Sequence, residues 1–244
     1  MLESRERLIE GDSMKRCLIQ TLPAFLVFVA TTSGQVPESI ERVCYENVCL
    51  VQSKTGPVSS LGTGIYLGQA NGTGIVSTAA HVVEDGGQLF CNFPDGDHVP
   101  ATLVSIDHTW DIATLALTRP VDRSGVDIAS ANPKRGETLY AYGYPNGRTD
   151  KWLVGQMTAN RSAIPGGPGD WVEFQGGAIE GMSGGPVFNA NGEYVGPLWG
   201  TDGYTTTCTS TGRFQSFMGT LFGPIRQWRA NRLGRLMNIP APDI

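Results

Sequence analysis

The sequence predicts an all-β fold, and three observations carry the prediction. The 244 residues include 32 glycines and 15 prolines with 17% charged side chains, a composition suited to many short strands joined by tight turns. From about residue 43 into the 220s, short apolar stretches alternate with turn signals, the pattern of a strand-rich chain. A polar, proline-bearing stretch over 118–135 interrupts that pattern and divides it into two halves. At 40% hydrophobic residues the chain lies outside the range of disordered proteins, and its length suffices for one large all-β domain or two small ones.

The first 34 residues read as an address. Met14-Lys15-Arg16 gives a basic start, residues 17–30 are mostly apolar, and Thr31-Thr32-Ser33-Gly34 supplies small residues where a signal peptidase could cut. This resembles a secretory signal peptide, so the expected location is secreted or periplasmic, with Met14 a second candidate start. Gln20, Thr21 and Pro23 break the apolar run below the roughly 18 residues a membrane span needs, so no stable membrane association is expected. The formal charge of −5, with no basic run beyond the first residues, argues against a nucleic-acid partner. Losing Cys17 with the leader leaves Cys44, Cys49, Cys91 and Cys208, an even count that permits disulfides in an exported protein. Cys44 and Cys49 lie five apart in an apparent strand, which separates them by roughly 17 Å. That exceeds the roughly 7 Å limit for bridged Cα atoms, so either would pair with Cys91 or Cys208, with free buried thiols the alternative. No cysteine and histidine cluster has zinc spacing, and neither metal nor cofactor is expected.

Taken in order, Gly64-Ile65-Tyr66-Leu67-Gly68, the turn Ala70-Asn71-Gly72 and Gly74-Ile75-Val76-Ser77-Thr78 predict a hairpin. Phe93-Pro94-Asp95-Gly96 is a second turn, and 98–106 and 111–117 read as strands joined at Asp107-His108-Thr109. The second half restarts with a strand over 137–145. A Gly/Pro-rich loop over 163–170 precedes a strand at 171–174, and Asn189-Ala190-Asn191-Gly192 turns the chain between strands at 187–188 and 193–198. Only the end reads as helical: Pro224 suits a first turn, and Ile225, Trp228, Leu233, Leu236 and Met237 recur at near-helical spacing. That helix is expected to pack on the core.

The chemistry centres on Gly181-Met182-Ser183-Gly184-Gly185-Pro186-Val187. A serine hydroxyl is a weak nucleophile and needs an adjacent base, and acyl transfer also needs amide donors beside the attacked carbonyl. Three histidines are available. His98 follows the Asp95-Gly96-Asp97 turn and His108 sits in a polar loop, whereas His81 closes the apolar strand Ser77-Thr78-Ala79-Ala80-His81 among small residues. A carboxylate must hold the imidazole by its other nitrogen. Asp111 stands at the mouth of Ile112-Ala113-Thr114-Leu115-Ala116-Leu117, where an acid is costly to bury unpaired. Asp107 is the weaker candidate, because it belongs to a turn that favours aspartate for local hydrogen bonds. The Gly-x-Ser-x-Gly string also fits the nucleophile elbow of α/β-hydrolases, but those place histidine after serine, and no histidine follows Ser183.

Thr78-Ala79-Ala80-His81, Asp111-Ile112-Ala113-x-Leu115 and Gly181-Met182-Ser183-Gly184-Gly185-Pro186 together resemble the three signature blocks of trypsin-like serine proteases, and Gly143-Tyr144-Pro145 is similar to a bacterial branch of them. The likeness runs from about residue 43 to the carboxy-terminal helix. With residues 1–34 set aside as extension and signal peptide, it implies two packed six-stranded antiparallel β-barrels, 35–125 as the barrel carrying histidine and aspartate and 126–244 as the barrel carrying serine and ending in a helix. It implies an endopeptidase acting on polypeptides through an acyl-enzyme, with Ser183 as nucleophile, His81 as base and Asp111 as the orienting group. The oxyanion hole falls on the amides of Gly181 and Ser183.

The sequence also departs from the family. No Ile-Val-Gly-Gly-like segment follows a basic cleavage site, so the zymogen switch of digestive relatives is not expected, and the family's cysteine after the histidine is Val82 here. The base of the specificity pocket falls on Gly177, which argues for uncharged residues before the cut. The pocket wall falls on Leu198-Trp199-Gly200, with Leu198 where a serine usually supports the aspartate. The rival reading is a catalytically silent homologue that binds peptides in the same groove; a trypsin-like esterase is a third.

Overall fold

The computed structural model describes residues 35–222, residue 168 excepted. The expected leader and the amphipathic stretch from Pro224 onward lie outside the described residues. Among these residues the chain forms two closed antiparallel barrels of six strands each. The first comprises β1 (Val48–Thr55), β2 (Val58–Ala70), β3 (Thr73–Thr78), β4 (Gln88–Asn92), β5 (His98–Asp107) and β6 (Ile112–Leu117), in the spatial order β1-β2-β3-β6-β5-β4. The second comprises β7 (Thr138–Gly143), β8 (Lys151–Arg161), β9 (Trp171–Gln175), β10 (Pro186–Phe188), β11 (Tyr194–Thr201) and β12 (Thr205–Thr209), in the order β10-β11-β12-β9-β8-β7. The β2–β3 hairpin turns where the sequence signals it. Asn71 (φ 50°) and Gly72 (φ 80°) both lie in the left-handed region, which a two-residue turn matched to strand twist requires.

Apolar side chains sort into three layers. Cys49, Val51, Tyr66, Val76, Val99 and Leu115 fill the first barrel. Leu139, Met157, Val172, Phe174, Met182 and Leu198 fill the second. A third layer lies between the barrels and draws on both: Ile65, Ile75 and Ile112 from the first meet Tyr142, Phe188 and Tyr194 from the second. Alternation along β2 builds this arrangement, because Ile65 and Leu67 face the seam while Tyr66 faces the barrel interior.

Two helical segments depart from the sequence reading. Residues around Cys44, read as strand, form α1 (Glu38–Asn47), entered through Pro37. Its buried face is Ile40, Cys44 and Asn47, the i, i+4, i+7 spacing of a helix. Asn47 is satisfied on both sides, donating to the Val43 carbonyl within the helix at 2.8 Å and accepting from the distant Gly125 amide at 2.8 Å. A further helix closes the described chain ahead of the expected one, with Phe214 and Met218 buried in the seam. With the one-turn helix at Ala80–Val83 as α2, this element, Thr211–Phe222, is α3.

The cysteines are not bridged. Cys44, Cys49, Cys91 and Cys208 are all free and buried, and they are spread over three layers: Cys44 in the seam, Cys49 and Cys91 in the first barrel, Cys208 in the second. The expected pairing of either Cys44 or Cys49 with Cys91 or Cys208 is not made: Cys44 and Cys208 each lie in a core apart from the others, and Cys49 and Cys91, which share the first barrel's core, remain free thiols. Burial pushes the Cys44, Cys49 and Cys208 thiols up, which keeps them protonated and unreactive.

Candidate active site

Antiparallel pairing brings the first two candidate residues together. β3 pairs with β6 so that Thr78 lies opposite Ala113, and the same register continued past both strand ends places residue 80 opposite 111. The chain leaving β3 turns at once into α2, which carries His81. The chain entering β6 does so through Asp111, whose φ of 51° lies in the left-handed region that aspartate tolerates better than most residues. The Asp111 carboxylate then accepts twice from the same residue, at 2.7 Å from His81 Nδ1 and at 2.9 Å from the His81 main-chain amide. A proton on Nδ1 leaves Nε2 with its lone pair free. His81 keeps 43% of its side chain exposed and Asp111 16%, so the base is open to an incoming molecule while its partner is largely covered. The Asp111 hydrogen bond raises the imidazole above its ordinary value; burial opposes this, and the charges of Asp111 and Glu84 add to it.

The other histidines are engaged elsewhere. His98 is exposed, stacks on Phe90 and bonds to Asn92. His108 is exposed and lies 3.4 Å from Glu84. Asp107 holds its own turn, accepting from the amides of Thr109 at 2.9 Å and Trp110 at 3.2 Å, as expected of a turn aspartate.

Ser183 lies on the loop between β9 and β10 and is docked against the first barrel by its backbone. Its carbonyl accepts from the Thr63 amide at 2.7 Å. Gly184 (φ 80°) packs so closely that a Cβ there would overlap the Thr78 hydroxyl and the Thr63 carbonyl and lie 2.6 Å from the Ala79 amide nitrogen. Gly62 on β2 is wedged between the Val82 side chain and the Ser183 carbonyl. The serine loop therefore abuts the segment 78–82 that carries His81. Among the described residues no hydrogen bond joins the Ser183 hydroxyl to His81, a contact that often tightens only when substrate is bound.

Amides along this loop alternate between engaged and open. Met182 N–H donates to Ile179, Gly184 N–H to Leu198 and Gly185 N–H to Met182, whereas neither Gly181 N–H nor Ser183 N–H donates to any described residue. Two open amides two residues apart, with an engaged one between them, form a donor pair able to receive an anionic oxygen. Gly181, at φ 92°, could not be another residue, since a Cβ would overlap the Tyr144 carbonyl and lie 2.7 Å from the Asn146 amide nitrogen.

The proposed pocket residues separate. Gly177 is tightly packed, and a Cβ there would overlap the Gly203 carbonyl. Trp199 is exposed and Gly200 half-exposed, but Leu198, expected in the pocket wall, turns its side chain into the second barrel's core. Strand alternation explains this, since an inward Leu198 puts Trp199 outward. Leu198 contributes through its backbone, with its amide and carbonyl bound to Gly185 and Gly184. The aspartate is supported from another direction that sequence reading missed. Thr209 on β12 donates its hydroxyl to the Trp110 carbonyl at 2.8 Å, directly before Asp111. The Trp110 ring lies 4.4 Å from the Arg213 guanidinium, which pairs with buried Asp170. Nothing local marks a threonine 99 residues away in sequence as a partner.

Among the described residues, no group of three or more His, Cys, Asp or Glu side chains could hold a metal ion, and no helix is long and apolar enough to cross a membrane.

Comparison with known proteins agrees with this fold. A family model described as a trypsin-like peptidase domain matches residues 62–196. A probable periplasmic DegP-like serine endoprotease from Brucella suis is 30% identical over 139 residues, covering 55% of this chain and 26% of the relative. The periplasmic pH-dependent serine endoprotease DegQ of Escherichia coli is 28% identical over 191 residues, covering 75% of this chain and 41% of the relative. The chain thus spans less than half the length of these relatives. Among solved structures, the active form of the Rv3671c protease from M. tuberculosis superposes with a TM-score of 0.64 at 23% identity, covering 76% of this chain and 84% of that one. With a family model matched over more than half of its length, on the two barrels that hold His81, Asp111 and Ser183, this chain belongs to the trypsin-like peptidase domain family.

Proposed function

We propose that this chain is a serine endopeptidase in which His81, Asp111 and Ser183 form the catalytic triad and the amides of Gly181 and Ser183 form the oxyanion hole. One observation carries the reading: Asp111 fixes His81 by both its ring and its main chain, leaving Nε2 as a free base on the rim where the serine loop docks. Ser183 Oγ attacks the peptide carbonyl carbon and its proton passes to Nε2. The carbonyl oxygen becomes anionic and is received by the two open amides. His81 then gives the proton to the amide nitrogen, the C–N bond breaks, and the acyl group remains on Ser183. A water molecule, deprotonated by His81, releases it and restores the serine.

Polypeptide is the proposed substrate class, in keeping with relatives named as endoproteases. The packing of Gly177 against Gly203 supports a pocket floor without a carboxylate, hence cleavage after uncharged residues. Export is proposed from the leader-like residues 1–34 and from relatives named as periplasmic.

Replacing Ser183 tests the assignment. Ser183→Ala is expected to abolish both peptide cleavage and labelling by a phosphonylating active-site probe. Normal labelling of that variant would refute it. A wild-type protein that neither labels nor cleaves a diverse peptide library, yet binds peptides, would favour the silent homologue instead.

A further inference from the structure

Thr63 lies on β2 of the first barrel and is fully buried. It engages four groups at once. Its amide donates to the Ser183 carbonyl at 2.7 Å, and its own carbonyl accepts from the Thr78 hydroxyl at 2.8 Å. Its hydroxyl lies 2.8 Å from the Gly181 carbonyl oxygen and 3.0 Å from the Tyr144 amide nitrogen. A carbonyl can only accept and an amide N–H can only donate. The hydroxyl proton must therefore point at Gly181.

The peptide planes of the serine loop show what that contact controls. The Glu180 carbonyl is held by the Asn146 amide, the Met182 carbonyl by the Gly185 amide, and the Ser183 carbonyl by the Thr63 amide. The plane joining Gly181 to Met182 lies between the two open donors, and its carbonyl is held by the Thr63 hydroxyl. Gly181, lacking a Cβ, puts little intrinsic restraint on rotation of that plane, whose N–H is also held by the Ile179 carbonyl. Rotation at that plane would swing the Gly181 and Ser183 amides out of common aim. The same hydroxyl, by accepting from Tyr144, also holds the 144–146 segment against which Gly181 packs.

We infer that Thr63 is a positioning residue for the oxyanion hole: a hydroxyl from the first barrel sets the aim of two amides in the second. This rests on the function proposed above. Donor alignment is then tied to how the barrels dock, although neither donor belongs to the first barrel.

The test compares Thr63→Val, which keeps the shape and removes the hydroxyl, with Thr63→Ser, which keeps the hydroxyl and removes the methyl group. Catalytic geometry displaced by about 1 Å costs on the order of 100-fold in rate. Thr63→Val is therefore expected to lower kcat by about 10- to 100-fold with KM changed by less than about 3-fold, because an oxyanion hole acts in the transition state rather than on bound substrate. Affinity for a peptide boronate should fall in parallel with kcat, while the pH midpoint of the residual rate stays at the wild-type value, since His81 and Asp111 are untouched. Thr63→Ser should return kcat to within about 3-fold of wild type. A folded Thr63→Val protein with wild-type kcat, a shifted pH midpoint, or a loss that Thr63→Ser shares would overturn the inference. Should Thr63→Val not fold, Thr63→Cys, a weak donor of similar size, is expected to lose at least about 5-fold in kcat, and full activity there would overturn it. Phosphonylation of the wild-type protein at Ser183 is the separate control: its absence refutes the endopeptidase reading, whereas its presence with an unaffected Thr63→Val refutes only the role of Thr63.

Discussion

Gly184→Ala isolates the contact between the serine loop and the histidine segment. The added methyl group would overlap the Thr78 hydroxyl and the Thr63 carbonyl, and it would stand 2.6 Å from the Ala79 nitrogen where ordinary contact begins at 3.4 Å. Two of those three neighbours are main-chain atoms and cannot rotate away. The loop must withdraw by roughly 1 Å, a displacement that costs about 100-fold in rate, or about 2.7 kcal/mol in the barrier. A left-handed φ of 80° adds roughly 1–2 kcal/mol of folding penalty for any residue with a Cβ. Gly56→Ala separates the two effects. Gly56 sits at φ 62° with nothing within 4 Å of an added methyl group, so it should lose about the same stability and no activity. Steady-state hydrolysis of a chromogenic peptide gives the rates, and thermal denaturation gives the stability of both variants. If Gly184→Ala retains kcat/KM within about 3-fold while its melting point falls like that of Gly56→Ala, the loop does not position Ser183 against His81.

Because Asp111 raises the His81 imidazole above 6.5, activity should fall with decreasing pH through a midpoint above 6.5, and a rate that stays flat to about pH 5 would argue against His81 as base. For stability the sign is opposite. A raised folded-state value means that the His81–Asp111 pair contributes fully below the unfolded value, and that this contribution is lost as pH rises through the folded one, which melting curves in buffers of graded pH would detect. Asp111→Asn should lower kcat by roughly 10⁴ by presenting the wrong imidazole tautomer and should also lower the pH midpoint of whatever activity remains; an unchanged midpoint would contradict the pairing. Thr209→Val should cost about 1 kcal/mol of stability by removing the bond to the Trp110 carbonyl and should reduce kcat several-fold, whereas lost stability with unchanged kcat would make Thr209 purely structural. Denatured, unreduced protein should alkylate at Cys44, Cys49, Cys91 and Cys208, and any disulfide-linked peptide pair in its digest would contradict the free thiols.

The triad candidates were legible because each sits in a short string whose meaning is local: a histidine after small residues, an aspartate at a strand mouth, a serine among glycines. The β2–β3 hairpin was legible for the same reason, since Asn71-Gly72 encodes its own turn. Thr63 was not, because its hydroxyl partner Gly181 is 118 residues away and an isolated threonine in a strand carries no mark of such a bond. α1 was misread because its buried face is only Ile40, Cys44 and Asn47, which leaves Val43, Cys44 and Tyr45 to look like the start of a strand. α3 was missed because Thr211–Phe222 contains two glycines, two threonines and a serine, poor helix formers; its helicity comes from burying Phe214 and Met218. The cysteines show a third kind of limit. Their count was compatible with bridges, but nothing local shows that Cys44 and Cys208 fall in separate cores, or that Cys49 and Cys91 share one and stay free.

The apolar layer between the barrels bears on regulation. Contacts between domains are usually polar and thin enough to permit hinge motion. Here Ile65, Ile75, Ile112, Tyr142, Phe188 and Tyr194 meet Ile40 from α1 and Phe214 from α3 in a seam packed like an interior. Prying the halves apart would expose bulky side chains, each worth roughly 1.5–3 kcal/mol of burial. The two halves should therefore melt in one transition, and a scissor-like opening is a poor candidate for an off state. Any control of this site falls instead to the thin loops at the seam's edge, where moving a single peptide plane is cheap and both barrels can stay shut.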